Sequence, residues 1–393
     1  MRLTYNQLLI DLHTAYLAVR RHKRGKTYQQ RFEADMERNL RQLADELHTR
    51  TYRPQPSSCF IIEDPKKREV FAAPFRDRIV HHLYFNYTHE LFERTFIADS
   101  YSCIKKRGTH YGINRLEQHI RQESHNYTEK VYILKMDISG YFMHINRARL
   151  LEICQKQLAK MRNHKIRKSG GEVWNDVVDF EFVGWLSEVI IMLNPVENCH
   201  MVGKHADWRN LPHNKSLFNS PEGCGLPIGN LTSQLFSNIY LGELDAFIKR
   251  KLQCSHYGRY VDDFYIVSAD REWLCGLVPT ITSFLNDNLY LTVNQGKTRI
   301  CNSQHGVEFL GAYLKPHRRY IGNTTLKRVH RKLPKISIIS NPKQLQATLN
   351  SYLGIFSHYK SYGIRCQLFQ PIVNIQKFGR FTNFMRRFIP FGA

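Results

Sequence analysis

The chain has 393 residues, with 57 Lys and Arg against 34 Asp and Glu and a formal net charge of +23; such an excess calls for a polyanionic partner, nucleic acid first, because neutralised phosphates release counterions. A hydrophobic content of 42 % argues against a disordered chain, no apolar run approaches the roughly 18–20 residues of a membrane helix, and the N-terminus lacks the order of a signal peptide, so a cytoplasmic protein without a membrane is expected. Nine cysteines without a CxxC pair and 19 histidines without HExxH spacing argue against structural zinc and a disulfide scaffold.

Residues 29–48 repeat apolar side chains at helical spacing, which predicts one amphipathic helix. CFIIEDPKKREVFAAPF reads as a two-strand hairpin with a basic turn at Pro65-Lys66-Lys67-Arg68, and DRIVHHLYFNYTHELFERTF resumes helical spacing. VYILKMDISGYF has the outline of a buried strand stopping at a carboxylate and a glycine. Residues 155–220, with HKIRKSGG and many Asn, Pro and His, read as an insertion with long loops. LTSQLFSNIYLGELDAFIKRKL is a clear helix. HYGRYVDDFYIVS alternates around two acids and predicts a hairpin with the acids at its tip. Beyond Gly311 the chain is markedly basic, and residues 325–393 read as largely helical.

Two acidic sites stand at the ends of apolar strands: Asp137 after VYILKM, and Asp262-Asp263 within YVDDFYIV. Ionised carboxylates are costly to desolvate there. Brought together, three of them repel unless divalent cations lie between them; Mg²⁺ suits oxygen ligands and keeps positions open for phosphates. Two such ions, with Mn²⁺ as a substitute, would activate a primer 3′-hydroxyl and stabilise a leaving pyrophosphate. An Asp-Asp pair alone is more often an acidic turn; its company decides otherwise.

RYVDDFYIV resembles the catalytic hairpin of reverse transcriptases, and KMDISGYF their first palm motif. The resemblance implies Asp137, Asp262 and Asp263 as catalytic metal ligands and Phe142 as the aromatic gate against a ribose 2′-hydroxyl. GLPIGNLTSQLFSNIYL resembles the motif that positions template and nucleotide, with Ile228, Gly229 and Gln234. NQGKT supplies Lys297, similar to the lysine that assists pyrophosphate departure. VEFLGAYL resembles the primer grip, and PKKREVFAAPFRDRIVHHLYF the fingers motif, in which Arg68, with Lys66 or Lys67, would hold the triphosphate. The motifs keep the family's order across residues 65–320. They imply an α+β right-hand polymerase: fingers and the start of the palm at 1–130, palm with its antiparallel sheet at 131–325, helical thumb at 326–393.

A finer resemblance comes from the IGxxxSQ variant at Ile228-Gly229 and Ser233-Gln234, with KSLF, GCGLP and SYLGIFSHYKSYG. It is similar to diversity-generating retroelement reverse transcriptases, which copy a template-repeat RNA into error-prone cDNA beside a small basic accessory protein. The implied partners are template RNA, primer or cDNA, and dNTPs. A phage-defence (antiviral) reverse transcriptase and a non-catalytic RNA-binding protein on a polymerase fold remain alternatives, and the sequence leaves the oligomeric state open. Trp208, Lys215 and Phe218 are read as either RNA or accessory-protein contacts or loop packing. Lys105, Lys106, Arg107 and Gly108 are either a backbone-binding turn or a solvated charge run. The basic run Lys327, Arg328, Arg331, Lys332, Lys335, Arg380, Arg386 and Arg387 fits a thumb gripping a duplex.

Overall fold

The computed structural model describes residues 2–21, 25–64, 66–166 and 171–391. Pro65 of the expected basic turn, and residues 167–170 of the expected insertion, lie outside them. The strands in chain order are β1 (Ser57–Ile62), β2 (Arg68–Ala72), β3 (Tyr132–Asp137), β4 (Cys199–Met201), β5 (Tyr257–Tyr260), β6 (Asp263–Ser268), β7 (Arg299–Asn302), β8 (Val307–Phe309), β9 (Ala312–Lys315), β10 (Arg318–Ile321), β11 (Gly379–Thr382) and β12 (Arg387–Pro390). They form sheets ordered β2-β1-β4, β5-β6-β3-β7, β10-β9-β8 and β11-β12, so helix and sheet are mixed as an α+β chain requires.

The chain divides into two compact units. One comprises Met1–Gly108, Met136–Phe264 and Gly276–Thr298; the other Thr109–Lys135, Tyr265–Cys275 and Arg299–Ala393. In the first, β1 and β2 form the expected antiparallel hairpin, with Cys59 opposite Phe71 and Ile61 opposite Glu69. Their alternation sends Cys59 and Phe71 into a core cluster with Met143 and Leu217, as a period of two demands. Helix Phe75–Glu93 buries Ile79, Val80, Leu83, Leu91 and Phe92. Helix Leu231–Ala246 buries most of its residues, among them Leu235, Phe236, Ile239, Tyr240 and Leu244, and runs into a π-helical turn at Phe247–Lys251.

Two expectations change here. The helix read over residues 29–48 is two helices, Thr27–Glu33 and Met36–His48, because Asp35 leaves helical backbone at φ −138°. The stretch 155–220 is more ordered than long loops. Helix Arg147–Met161 enters it, helix Phe180–Met192 follows, and β4 joins β1 in parallel, Ser57 opposite Cys199. FEFVGWLSEVIIM buries Phe182, Val183, Leu186 and Ile191 at helical spacing and leaves Glu181 and Glu188 exposed, an amphipathic period that its overall apolar composition blurs. After β4 the described residues up to 220 form only short 3₁₀ turns, at His205–Trp208, His213–Lys215 and Leu217–Asn219.

The second unit has its own core. Leu345, Leu349, Leu353 and Phe356 line one face of helix Pro342–Phe356 and pack with Val329, Ile336, Phe369 and Phe388. The expected helices are present, at Asn323–Ser337, Pro342–Phe356, Tyr362–Phe369 and Val373–Phe378. The β11–β12 hairpin that follows them was not expected. Among the described residues no helix is long and apolar enough to cross a membrane.

Candidate active site

Asp137 ends β3, whose preceding Ile133, Leu134 and Met136 are buried. Val293 bridges to Ile138, and Ser139 N–H donates to the Thr292 carbonyl at 2.8 Å, so residues 292–294 run beside the acid. Asn294 N–H donates to the Asp137 carbonyl at 2.8 Å and its Nδ2 to Oδ2 at 3.3 Å. A 3₁₀ turn at Gln295–Lys297 then returns Lys297, whose ammonium lies 2.8 Å from Asp137 Oδ2. The acid is half-buried and the lysine mostly exposed. Lys297, singled out from NQGKT, is thus Asp137's counter-ion; Asn294, at the start of the same run, went unnoticed.

Asp262 and Asp263 sit where β5 turns into β6. Val261, the other turn residue, has φ +56°, a left-handed conformation that a β-branched side chain resists. Two contacts hold it there: its N–H donates to Ser102 Oγ at 3.2 Å, and its carbonyl accepts from Arg259 Nη1 at 3.0 Å. Arg259 is fully buried and makes a bidentate pair with buried Asp245, at 2.8 Å from Nε and 2.7 Å from Nη2. Tyr257 donates to the same carboxylate at 2.6 Å. Burial opposes the guanidinium's charge, but Asp245 outweighs it and the Arg259 pKa is raised. Arg259 and Asp245 thus brace the acid-bearing tip, although fourteen residues and a change of element separate them in the sequence.

Asp262 feels its neighbours. Burial first, then the charges of Asp137 and Asp263, push the Asp262 carboxyl up to about 6. Among the described residues, however, no group of three or more His, Cys, Asp or Glu is placed to hold a metal ion. In this arrangement the Asp137 carboxylate is paired with Lys297 and Asn294. An all-oxygen donor set under mutual repulsion does fit the chemistry of a hard divalent cation.

The remaining candidates divide. Phe142 and Ile228 pack on one apolar cluster, that of Cys59, Phe71, Met143 and Leu217, and Leu226 N–H donates to the Phe142 carbonyl at 2.8 Å. Gly229, at φ +132°, would place a Cβ 2.8 Å from the Phe71 carbonyl, so β2 is the close neighbour that demands glycine here. Gln234 is exposed on its helix, as are Lys66 and Arg68 on the β1–β2 hairpin. Lys67 Nζ donates to the Arg209 carbonyl at 2.6 Å. Trp208 is packed: its Nε1 donates at 2.7 Å to buried Glu69, which also accepts from Ser216 Oγ and Leu217 N–H. Phe218 lies 5.9 Å from Phe71 ring to ring, and Lys215 is exposed. Arg107 donates to the Ile97 and Ser100 carbonyls, both at 2.9 Å, while Lys105 and Lys106 are exposed.

A family model for reverse transcriptase (RNA-dependent DNA polymerase) matches residues 65–314. The chain belongs to the reverse transcriptase family. That family is one of RNA-directed DNA polymerases, which are nucleotidyltransferases, and the mixture of helix and sheet agrees with the α+β class expected of it. No curated protein sequence matches. Among solved structures, apo telomerase from Candida tropicalis is similar at 12 % identity and a TM-score of 0.48, over 79 % of this chain and 56 % of that one. Telomerase from Candida albicans, solved with a TWJ fragment of telomeric RNA, is similar at 14 % and 0.45, over 83 % and 57 %. The chain spans a little over half the length of these telomerase chains.

Proposed function

We propose that the protein extends a primer with dNTPs on an RNA template. The carrying observation is that Asp137 and the strained Val261-Asp262-Asp263 turn belong to one compact unit and couple electrostatically. The primer 3′-oxygen attacks the α-phosphorus of the dNTP, its proton leaves, and the bond to the bridging oxygen breaks to release pyrophosphate. Asp137 and Asp262, with Asp263 assisting, would hold Mg²⁺, which supplies charge to the developing alkoxide and the leaving phosphates. Lys297, an exposed ammonium already at the site, donates a proton to pyrophosphate; Phe142 bounds the sugar, and Arg68 with Lys66 meets the triphosphate. Residues 1–130, 131–325 and 326–393 serve as fingers, palm and thumb.

Within this class we place the protein with the diversity-generating enzymes, working beside a small basic accessory protein. The IGxxxSQ variant supports that reading: Ile228 shares the apolar cluster of Phe142, so the pocket lacks an amide there and discriminates bases less.

The test is primer extension with Mg²⁺ on an RNA template holding all four bases, each product being sequenced, with and without an accessory protein encoded nearby. Asp262→Asn should lower synthesis about a thousandfold or more, in line with loss of several kcal/mol of charge stabilisation. Products indifferent to Asp262→Asn would sink the polymerase reading. Errors gathered opposite template adenine, and reduced by Ile228→Gln, support the diversity-generating role; uniformly accurate products would point to defence.

A further inference from the structure

From Phe309 to the end of the sequence there is not one Asp or Glu, against fifteen Lys and Arg. The β11–β12 hairpin concentrates this imbalance. Its register places Phe381 opposite Phe388 and Arg380 opposite Ile389, with Thr382 opposite Arg387. Because side chains alternate between faces, Phe381 and Phe388 turn to the core, and Arg380 and Arg387 share the outward face; both arginines are exposed.

The connecting turn is unusual. Asn383, Phe384 and Met385 take φ of +51°, +52° and +59°; single non-glycine residues enter this region now and then, but runs are rare. Buried Arg365 and half-buried Asn350 enforce it. Arg365, 4 % exposed, donates from Nη1 to the Met385 carbonyl at 3.0 Å. The Asn350 side chain both donates to the Phe388 carbonyl at 3.1 Å and accepts its N–H at 2.8 Å. Met385 is thereby sunk to 5 % exposure, and the same turn lifts Phe384 to 80 %. A fixed hairpin holds an aromatic ring in water beside Arg386 and the two outward arginines.

Strain retained where it exposes an apolar ring points to a ligand for that ring. We infer that the β11–β12 hairpin is a stacking finger for unpaired RNA, Phe384 taking a base and Arg380, Arg386 and Arg387 the flanking phosphates. Every base offers a π-face and every linkage a charge, so an aromatic among arginines and no carboxylates suits a single strand. The inference rests on the proposed reading of the protein as an RNA-templated polymerase.

The test measures binding of the full chain to a labelled 20-nucleotide single-stranded RNA carrying 2-aminopurine. Phe384→Ala should weaken binding about tenfold and abolish the quenching that accompanies stacking, while Phe384→Trp preserves both. The solvent-facing ring is outside the core, so Phe384→Ala should melt no lower than the parent. Arg380→Gln with Arg387→Gln should reduce the slope of log K against log salt by about 1.4, two single-strand contacts at roughly 0.7 each. Parent-like affinity of Phe384→Ala for RNA overturns the finger alone; a parent chain that binds no RNA overturns the polymerase reading with it. Loss of binding to phosphatidylserine vesicles, with RNA affinity intact, would make the hairpin a membrane contact, and stronger Phe384-dependent binding to the matching DNA would remove the RNA assignment.

Discussion

Two hairpin turns in this protein are built alike and charged oppositely. Between β5 and β6, Val261 is held at positive φ by Nη1 of buried Arg259 on its carbonyl at 3.0 Å. Between β11 and β12, Met385 is held at positive φ by Nη1 of buried Arg365 on its carbonyl, again at 3.0 Å. One tip presents carboxylates and the other an aromatic ring among arginines. The arginines differ in what lies behind them: Arg259 is paired with Asp245, whereas no carboxylate among the described residues pairs with Arg365, and burial together with Arg386 lowers its pKa. A guanidinium offers five donors in a fixed fork, enough to pin a strained carbonyl whether or not an acid completes the site. The acid determines how much the fold depends on it.

That difference can be broken first at Asp245. Asp245→Ala leaves a wholly buried guanidinium without its partner and should cost about 3–5 kcal/mol, read as a lowered urea midpoint at constant slope. The double variant Asp245→Leu with Arg259→Met removes both charges and should recover most of that loss. It also removes the donor on the Val261 carbonyl, so it should fold and still extend primers poorly, with kcat reduced more than KM. Recovered synthesis in the double variant would show that Arg259 serves the fold alone. Arg365→Leu is the counterpart and should cost less, about 1–2 kcal/mol, because it frees one carbonyl and strands no charge. A loss there as large as in Asp245→Ala would erase the distinction between the turns.

These contrasts also mark how far the sequence could be read. Asp137 and Asp262-Asp263 were legible because an acid ending an apolar strand is rare, and their order among the other motifs carried the family. The β1–β2 hairpin followed from alternation, and helix Leu231–Ala246 from its composition. Asp245 was invisible as a partner of Arg259, since a helix interior and a strand meet only through packing. Asn294 was overshadowed by Lys297, whose charge attracts notice while an asparagine donating to Asp137 does not. The period of helix Phe180–Met192 was masked because apolar residues outnumber Glu181 and Glu188, the two acids on its exposed face. The β11–β12 hairpin was lost because RFTNFMRRFIP lacks the Asn-Gly or Asp-Gly signal of a tight turn; buried Arg365 and half-buried Asn350, distant in sequence, impose its conformation.

The smallest expected effect is the sharpest check on the shared device. Glycine enters the left-handed region freely but carries more entropy in the unfolded chain, a penalty of roughly 0.5–1 kcal/mol. Relief of a strained φ returns about 1–3 kcal/mol. Val261→Gly should therefore raise stability by about 1 kcal/mol, and Phe384→Gly by somewhat less, since Val261 is β-branched and more crowded at positive φ. Each gain should come with a loss particular to its turn: slower nucleotide addition for Val261→Gly, weaker RNA binding for Phe384→Gly. Urea midpoints measured on both variants test this directly. If both fall, neither turn is strained and the parallel between Arg259 and Arg365 is only geometric; if both rise while function falls, each arginine holds its turn away from the backbone's own preference, where the site needs it.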